Sequence, residues 1–359
     1  MIHRMIVATL LAALVAGCTP SAPDHGVTVL TYASPYPPGH PFSRADLRWM
    51  AHVQKASGGR LRIQPYWAGA LLSSDQSMEE IRHGVADIGL ITPIYTRGGA
   101  HTQRAQAGFY GGVQSMPEQI AVYQCLAARF PALNGELRGL RVLAVQPGNF
   151  PGILTRDIAV RSLADLKGLR LRAPAENLEV LRALGADPVD MPMADVYSAL
   201  AKGVIDGVVA PADTLRSLHF AEVAHHFTTL RVSRGSYPAR AMSARRWQSL
   251  SPAEQKFLAA SERQWEAALI DEIDKAEQAG ITFGKEHGVA FLPMPAADQR
   301  RFDALYNQNA ARIARGLTRF GADGTPIFAE AQRLIAATAR EGTLPNCTPA
   351  PNPDPIIHD

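Results

Sequence analysis

The residues best suited to catalytic chemistry form a short polar group, which consists of His219, Glu222, His225 and His226. Three of them, His219, Glu222 and His226, follow one another at helical spacing, so one helix face would present them together. Two imidazoles and a carboxylate are a ligand set that a metal such as zinc accepts. Apolar residues alternate with this group, so the polar face of an amphipathic helix explains the same pattern. Both interpretations stay open.

Other catalytic signatures are missing from the sequence. It contains no G-x-S-x-G, H-E-x-x-H, C-x-x-C, Walker A or G-x-G-x-x-G motif, which speaks against the common hydrolase, zinc and nucleotide sites. The nearest paired carboxylates, Asp87 and Asp206, sit in turn motifs, where backbone capping is the simpler role. We therefore expect a protein that is not an enzyme and that uses no cofactor or metal.

Length and composition favour a globular protein of two domains. The chain has 359 residues, and a domain commonly has about 150. Hydrophobic residues make up 47% and charged residues 19%, which excludes a disordered chain and a polytopic membrane protein. The net charge is +3 and no basic run is present, so nothing in the sequence indicates a nucleic-acid partner.

The N-terminus has the pattern of an export signal. A positively charged start is followed by the apolar stretch Met5–Ala16, which is shorter than the roughly 20 residues that span a bilayer. Small residues then precede Cys18, as in a bacterial lipobox. We expect residues 1–17 to be removed, Cys18 to carry lipid, and residues 18–26 to tether the protein to a membrane in the periplasm. An ordinary secretory signal that contains a cysteine is the alternative.

The other two cysteines are Cys125 and Cys347. Disulfides persist in an exported protein, and a bond between these two would fix the proline-rich tail at residues 341–359. A buried free Cys125 and a loose Cys347 fit the sequence equally well.

Two stretches of the chain repeat the same order of elements. Strand and helix patterns alternate as βαβαβ over residues 27–91, which predicts a parallel sheet with helices on its faces. The alternation restarts at Leu140–Val145. The segments His83–Gly89 and Lys202–Gly207 both run from helix end through glycine, valine and aspartate into a strand. This echo favours two lobes of like topology, although short turns reuse the same chemistry elsewhere.

A long helix is predicted after the second unit. Ser251, Pro252 and Glu254 form a strong N-terminal capping signal. If the helix continues to His287, it is roughly 54 Å long at 1.5 Å per residue and exceeds one lobe. It would then cross both lobes. The alternative is a helix that breaks at Gly280 or Gly284.

Several segments resemble a known family in their residues, order and spacing. They are His40–Phe42, Ser57–Ile63, Met78–Gly89, Ser162–Pro174, Leu184–Val189, Asp195–Gly207 and Trp247–Ser251. Over about Val27 to Ile335 the chain resembles the DctP-type substrate-binding proteins of tripartite ATP-independent periplasmic (TRAP) transporters.

The resemblance implies an α/β fold, a two-lobe clamshell like that of periplasmic binding proteins, with a long helix spanning both lobes. The lobes would be residues 27–149 plus 237–275 and residues 150–236 plus 276–340. Such a receptor captures a small organic acid and delivers it to a membrane permease. Two other functions are kept: a periplasmic metal-dependent hydrolase or lyase on the same scaffold, and a receptor that feeds a sensor protein.

By the same resemblance, Arg172 is the ligand-clamping arginine at the end of the strand Leu169–Arg172. Guanidinium stays charged and offers parallel N–H donors to a carboxylate, which suits that role. Further ligand contacts are expected at loop and strand ends, where each residue also has an ordinary packing role. These candidates are Tyr36, His40, Trp67, Thr92, Tyr95, Asn149, Phe150 and Met193.

The sequence departs from the family pattern in ways that bear on the ligand. Pro151–Ile153 stands where many members carry a second arginine, and Val208–Pro211 is apolar where a polar ligand residue is common. Met193 takes a place that is often aromatic. We therefore expect a monocarboxylate with an apolar body.

Overall fold

Two β-sheets, each covered by helices, form the frame of the protein in a computed structural model that describes residues 26–96 and 98–347. The first sheet has the strand order β2-β1-β3-β10-β4. Its strands are β1 (Thr28–Ala33), β2 (Leu61–Tyr66), β3 (Ile88–Leu90), β4 (Leu140–Gln146) and β10 (Tyr237–Ser243). The sheet therefore combines strands from the first half of the chain with one that returns much later.

The second sheet has the strand order β11-β9-β5-β8-β6-β7. Its strands are β5 (Gly152–Thr155), β6 (Arg170–Arg172), β7 (Asp187–Val189), β8 (Gly207–Ala210), β9 (His226–Thr228) and β11 (Ala290–Leu292). The chain crosses between the sheets at residues 147–151, before β5, and at residues 229–236, before β10. These two crossings and the long helix described below connect the lobes.

Helices cover both sheets. In chain order they are α1 (Pro41–Ala56), α2 (Ser77–Arg82), α3 (His101–Gln106), α4 (Met116–Arg129), α5 (Pro131–Gly135), α6 (Leu178–Ala183), α7 (Val196–Ala201), α8 (Thr214–Ser217), α9 (Ala244–Ser249), α10 (Pro252–Ala260), α11 (Glu262–Glu286), α12 (Ala296–Gly316) and α13 (Gly324–Glu341). Short 3₁₀ turns lie at Pro93–Tyr95, Leu163–Leu166, Ala175–Asn177, Met193–Asp195, Phe220–Glu222 and Leu317–Phe320. The two-lobe α/β prediction is confirmed.

The parallel pairing predicted for residues 27–91 is confirmed, although each sheet as a whole is mixed. The strand β1 pairs in parallel with β2 and β3, as the βαβαβ pattern predicts. However, β10 runs antiparallel to both β3 and β4, and β5 runs antiparallel to β8 and β9. Both exceptional strands directly follow a crossing from the other sheet. The local alternation of strands and helices does not reveal that a strand from a distant part of the chain inserts antiparallel into a sheet.

The long helix is divided into α10 and α11 by one residue, Ser261. The predicted capping box at Ser251 and Glu254 starts α10. The Oγ of Ser261 donates to the Leu258 carbonyl (2.7 Å) and accepts from the Trp49 indole (2.8 Å), so its side chain replaces regular helix bonding there. Beyond this point α11 continues for 25 residues.

The helix passes both of its glycines without a break, so the alternative of a break at Gly280 or Gly284 is wrong. A Cβ at Gly280 would lie 2.2 Å from the Ala212 carbonyl oxygen, and one at Gly284 would lie 2.7 Å from Leu215. The glycines thus allow close packing against the second lobe. The N-terminal part of α11 packs on α1 and β4, and the helix also packs on α8. The helix therefore spans both lobes, as predicted.

A buried polar cluster fixes α1 against the first sheet and α11. Asp46 and Arg240 form an ion pair at 2.9 Å with neither side chain exposed. The carboxylate of Asp46 also accepts from the Trp265 indole (2.8 Å) and from the Tyr32 hydroxyl (2.5 Å). Trp265 stacks on Trp49 with ring centroids 3.5 Å apart. Because the Asp46 carboxylate is paired with a charge and with two further donors, this lobe keeps a defined core.

Cys125 in α4 and Cys347 form a disulfide across 222 residues. The sequence allows either a disulfide or two free cysteines, and the structure has the disulfide. The bond holds the segment after α13 against the cluster formed by α4, α12 and α13.

Membrane attachment was predicted for the N-terminus. The signal segment, Cys18 and the tether up to residue 25 lie outside the described residues. Within residues 26–96 and 98–347, the helices are too short or too polar to cross a bilayer.

Candidate functional site

A small cavity lies where the two sheets face each other. Its walls include Tyr95 and Tyr237 from the first lobe and Arg172 and Val209 from the second. Its volume is about 50 Å³, whereas small-molecule sites commonly measure about 300–1,000 Å³. The walls must therefore move apart before an organic molecule can enter.

Arg172 lies at the C-terminal end of β6, where parallel pairing with β7 and β8 brings it to the cavity. Its side chain is 1% exposed. The Nε group donates to the Met191 carbonyl (2.9 Å), and Nη2 donates to the Tyr95 hydroxyl (2.9 Å). Neither partner is charged. Within the described part of the chain, the buried guanidinium thus pairs with neutral acceptors and with no carboxylate.

Tyr95 belongs to the turn after β3 and reaches across to Arg172. Because its oxygen accepts the bond from Arg172, its own hydroxyl hydrogen stays available to a third group. Tyr237 lies beside it, and burial raises the pKa of the Tyr237 phenol to about 12. Tyr237 therefore remains a protonated donor at neutral pH.

A second arginine, Arg234, lines the same cavity from the crossing before β10. A Cβ at Gly148 would lie 2.3 Å from its Cζ, so the glycine makes room for the guanidinium. Glu176 also lines the cavity; burial raises the pKa of its carboxyl group, and the charge of Arg234 acts in the opposite direction. The cavity therefore holds two cations and one carboxyl group.

Among the residues that the sequence nominates, Arg172, Tyr95 and Met193 line this cavity. Tyr36 is also buried. Burial raises the pKa of its phenol, and the charge of Arg172 acts in the opposite direction. His40 stacks on Tyr36 with ring centroids 4.1 Å apart and accepts from the Phe42 amide (3.3 Å), so it caps α1. Burial lowers the pKa of His40 to about 3, which keeps it neutral.

Four other nominated residues do not line the cavity and make structural contacts. The Thr92 amide donates to the Ser77 hydroxyl oxygen (3.0 Å) at the start of the turn that carries Tyr95. The remaining three lie in the first core or along the lobe connections. Trp67 packs on Tyr32 (5.5 Å), Asn149 donates to the Ile273 carbonyl (3.0 Å), and Phe150 lies under the Arg231 guanidinium (3.6 Å).

Sequence reasoning missed Glu176, Asn177, Arg234 and Tyr237, which also line the cavity. Arg234 and Tyr237 sit at the crossing before β10, which the sequence pattern treats as an ordinary connection. Glu176 and Asn177 follow Arg172 by four and five residues in the turn before α6. Their short distance in sequence from Arg172 could have identified them as candidate cavity residues.

The metal-site interpretation is wrong, because the four residues do not share a helix. His219 lies beyond the end of α8 and has a left-handed conformation (φ 61°) at the start of the turn Phe220–Glu222, whereas His226 begins β9. His219 pairs with Glu222 at 3.1 Å on the surface. The described residues contain no group of three side chains arranged to hold a metal ion.

The comparisons with known proteins agree on one family. The model of the family described as bacterial extracellular solute-binding protein, family 7 (DctP), matches residues 32–315. A solute-binding protein of Roseobacter denitrificans is 32% identical over 169 residues, which are 44% of this chain and 50% of that protein. The chain spans about half the length of the first curated relatives it matches.

Solved structures share the whole two-lobe architecture. A TRAP solute-binding protein from Rhodoferax ferrireducens with copurified benzoate superposes with a TM-score of 0.80 at 24% identity, covering 88% of this chain and 100% of that one. A marine metagenome TRAP protein specific for aromatic acid ligands, in complex with 3-hydroxybenzoate, gives a TM-score of 0.76 at 25% identity and covers 86% and 98%.

Proposed function

The chain belongs to bacterial extracellular solute-binding protein family 7, the DctP-type receptors of TRAP transporters, and from this we propose that it is an extracytoplasmic receptor for a small organic acid. The acid binds between the lobes with its carboxylate on Arg172. No covalent chemistry is required of the protein, since its relatives are receptors.

One observation carries this proposal: the guanidinium of Arg172 is buried and, among the residues that the structure describes, it bonds only to neutral acceptors. A buried charge without a counter-ion is costly, and a carboxylate offers the parallel acceptors that a guanidinium fits. A charge-assisted hydrogen bond contributes roughly 1.5–3 kcal/mol. An organic anion therefore stabilises the closed lobes by neutralising this side chain.

We further assign a monocarboxylate with an apolar body. Arg172 and Arg234 supply two positive charges, and Glu176 supplies one negative charge when ionised, which leaves one charge to be balanced. Much of the remaining wall is apolar, as at Val209 and Pro211. The benzoate and 3-hydroxybenzoate complexes of similar proteins support this assignment.

The mechanism is a shift between open and closed forms. The lobes, taken as residues 27–149 plus 237–275 and residues 150–236 plus 276–340, move about the two crossings and α11. The end of α12 and α13 stay packed on α4 of the first lobe during this movement. Ligand binding favours the closed form, whose surface engages the permease. The receptor works in the periplasm, held to a membrane through lipid on Cys18.

Isothermal titration calorimetry with a panel of monocarboxylates and C4-dicarboxylates tests this function on the wild type and on Arg172→Ala. Loss of the clamp should weaken binding of the best acid by about 100-fold, consistent with two charge-assisted bonds. Arg170→Ala is the matched control, because Arg170 lies on the same strand but points outward to Asp187 (3.3 Å). Its affinity should match that of the wild type.

Two results would contradict the proposal at different levels. Equal affinity in Arg172→Ala and wild type removes Arg172 from the site. A C4-dicarboxylate that binds more tightly than every monocarboxylate overturns the ligand class but leaves the receptor function in place. A thermal melt of each variant without ligand confirms that it is folded.

A further inference from the structure

Asn177 presents a hydrogen-bond acceptor that its surroundings leave unpaired. It ends the 3₁₀ turn before α6, lines the cavity, and is 1% exposed. Its Oδ1 atom is buried and has no hydrogen-bond partner within the described chain. A buried amide oxygen without a partner is unfavourable, so its presence beside a ligand cavity calls for a group that pairs with it on binding.

The turn that carries Asn177 is held rigidly. The Asn177 amide donates to the Pro174 carbonyl (2.9 Å), and the side chain of Asn309 in α12 donates to the Glu176 carbonyl (2.9 Å). The backbone of the turn is thus held from two directions, which keeps Asn177 at the cavity wall.

A plain carboxylic acid cannot satisfy this acceptor. The groups of Arg172, Arg234 and Tyr95 that face the cavity are hydrogen-bond donors, and a carboxylate supplies acceptors only. The acid group therefore pairs with those donors and leaves Asn177 Oδ1 as it was. The ligand must carry a second polar group with a hydrogen to donate.

A hydroxyl group suits this position better than an ammonium group. Two guanidinium groups line the cavity, and they repel a cationic ligand group. A hydroxyl is neutral, and it both donates and accepts, so it can pair with either end of a side-chain amide.

We propose that the ligand is a hydroxy monocarboxylate whose hydroxyl donates to Oδ1 of Asn177, which makes Asn177 a specificity-determining residue. This inference rests on the proposed function, because it takes the carboxylate to be held at Arg172. An acid that lacks the hydroxyl leaves a buried acceptor unpaired, and that loss commonly amounts to about tenfold or more in affinity.

Calorimetric titration of matched acid pairs tests the inference. The pairs are benzoate with 3- or 4-hydroxybenzoate, phenylacetate with mandelate, and isovalerate with 2-hydroxyisovalerate. The wild type should bind the hydroxylated member of at least one pair about tenfold more tightly. In Asn177→Ala this ratio should fall to near one, while a ligand-free thermal melt shows that the variant is folded.

Asn307→Ala is the matched control. Its Oδ1 atom is also buried and unpaired within the described chain, but it lies against Gly111, away from the cavity walls. The wild-type ratio should persist in this variant. A ratio that falls equally in both variants would show a general effect on packing and would contradict a specific role for Asn177.

The remaining outcomes separate the inference from the function beneath it. Equal binding of both members of every pair, tighter binding of an amino-acid analogue such as valine, or a hydroxyl preference that survives in Asn177→Ala overturns the inference while the receptor function stands. Failure of all these acids to bind, together with no effect of Arg172→Ala on a broader acid panel, overturns both.

Discussion

Tyr95 joins the two lobes at the candidate site. Its hydroxyl oxygen accepts from Arg172 across the cavity (2.9 Å), although the two residues come from different sheets. The same hydroxyl retains a hydrogen for a ligand carboxylate. In the proposed complex, this one hydroxyl group takes part in both the lobe contact and ligand binding.

Replacing Tyr95 by Phe should lower the affinity for the organic acid by about tenfold, because it removes one hydrogen bond to Arg172 and one donor to the ligand. The affinity is measured by calorimetry with the tightest acid of the panel. Tyr197→Phe is the control, since the Tyr197 hydroxyl bonds to Glu222 on the surface (2.8 Å). Unchanged affinity in Tyr95→Phe would contradict the role.

Cavity residues at or near strand ends are easier to predict from the sequence than cavity residues in the segments that cross between the lobes. Arg172 ends the strand β6, and Tyr95 lies in the short turn that follows β3, and both strands are readable from the sequence pattern. Arg234 reaches the cavity because residues 229–236 cross between the lobes, and Gly148 on the other crossing makes room for it. The contact between Arg234 and Gly148 depends on how the two crossings lie in the folded protein, and local sequence periodicity does not encode that arrangement.

The long helix α11 depends on small residues where it meets the second lobe. Gly280 lies so close to the Ala212 carbonyl that a methyl group would overlap it, at 2.2 Å. One turn earlier, Glu277 accepts hydrogen bonds from the amides of Ala212 (3.3 Å) and Asp213 (3.0 Å). Hydrogen bonds and close packing therefore hold this side of α11 firmly against the second lobe.

Gly280→Ala should destabilise the protein by about 1–3 kcal/mol, since overpacking outweighs the gain of roughly 1 kcal/mol in helix propensity. Chemical denaturation gives the free energy of unfolding. Gly316→Ala is the matched control, because Gly316 also lies in a helix but has open space at its Cβ position. A Gly280→Ala protein as stable as the wild type would refute the close contact.

Element prediction succeeded where local signals are strong. The capping box at Ser251 and Glu254 marks the start of α10, and the β-branched run at the N-terminus gives β1. The break at Ser261 was not foreseen, because it depends on a hydrogen bond from Trp49, 212 residues earlier. The antiparallel insertions of β5 and β10 likewise follow from contacts far apart in sequence.

At the scale of the whole molecule, several buried carboxyl groups couple stability to pH. Burial raises the pKa of Glu262, Glu266 and Glu277 to about 7 and that of Asp213 to about 6. The folded state then holds these protons more tightly than the unfolded chain. Their stabilising contribution is complete below the ordinary carboxyl pKa and is lost as the pH rises through about 7.

The melting temperature should therefore fall by several degrees between pH 5 and pH 8. The surface carboxylates with lowered pKa values, such as Glu330 and Glu272, are already ionised over this range and do not change it. Scanning calorimetry at both pH values measures the difference.

Glu266→Gln provides the matched variant for this test. Glutamine can still accept from the Val145 amide, which now bonds to the Glu266 carboxylate at 3.0 Å, but it does not titrate. The drop in melting temperature from pH 5 to pH 8 should be smaller in the variant than in the wild type. An equal or larger drop, or a wild type that is more stable at pH 8, would contradict the assignment.

The disulfide between Cys125 and Cys347 can be formed or absent in purified protein, depending on where the protein is produced. A cytoplasm keeps thiols reduced, whereas an exported chain meets oxidants and closes the 222-residue span. Protein made in the cytoplasm and protein made by secretion would therefore differ, because only the secreted form has the segment after α13 bonded covalently to α4. Affinities measured on the two preparations would therefore compare the disulfide-bonded form of the protein with its reduced form.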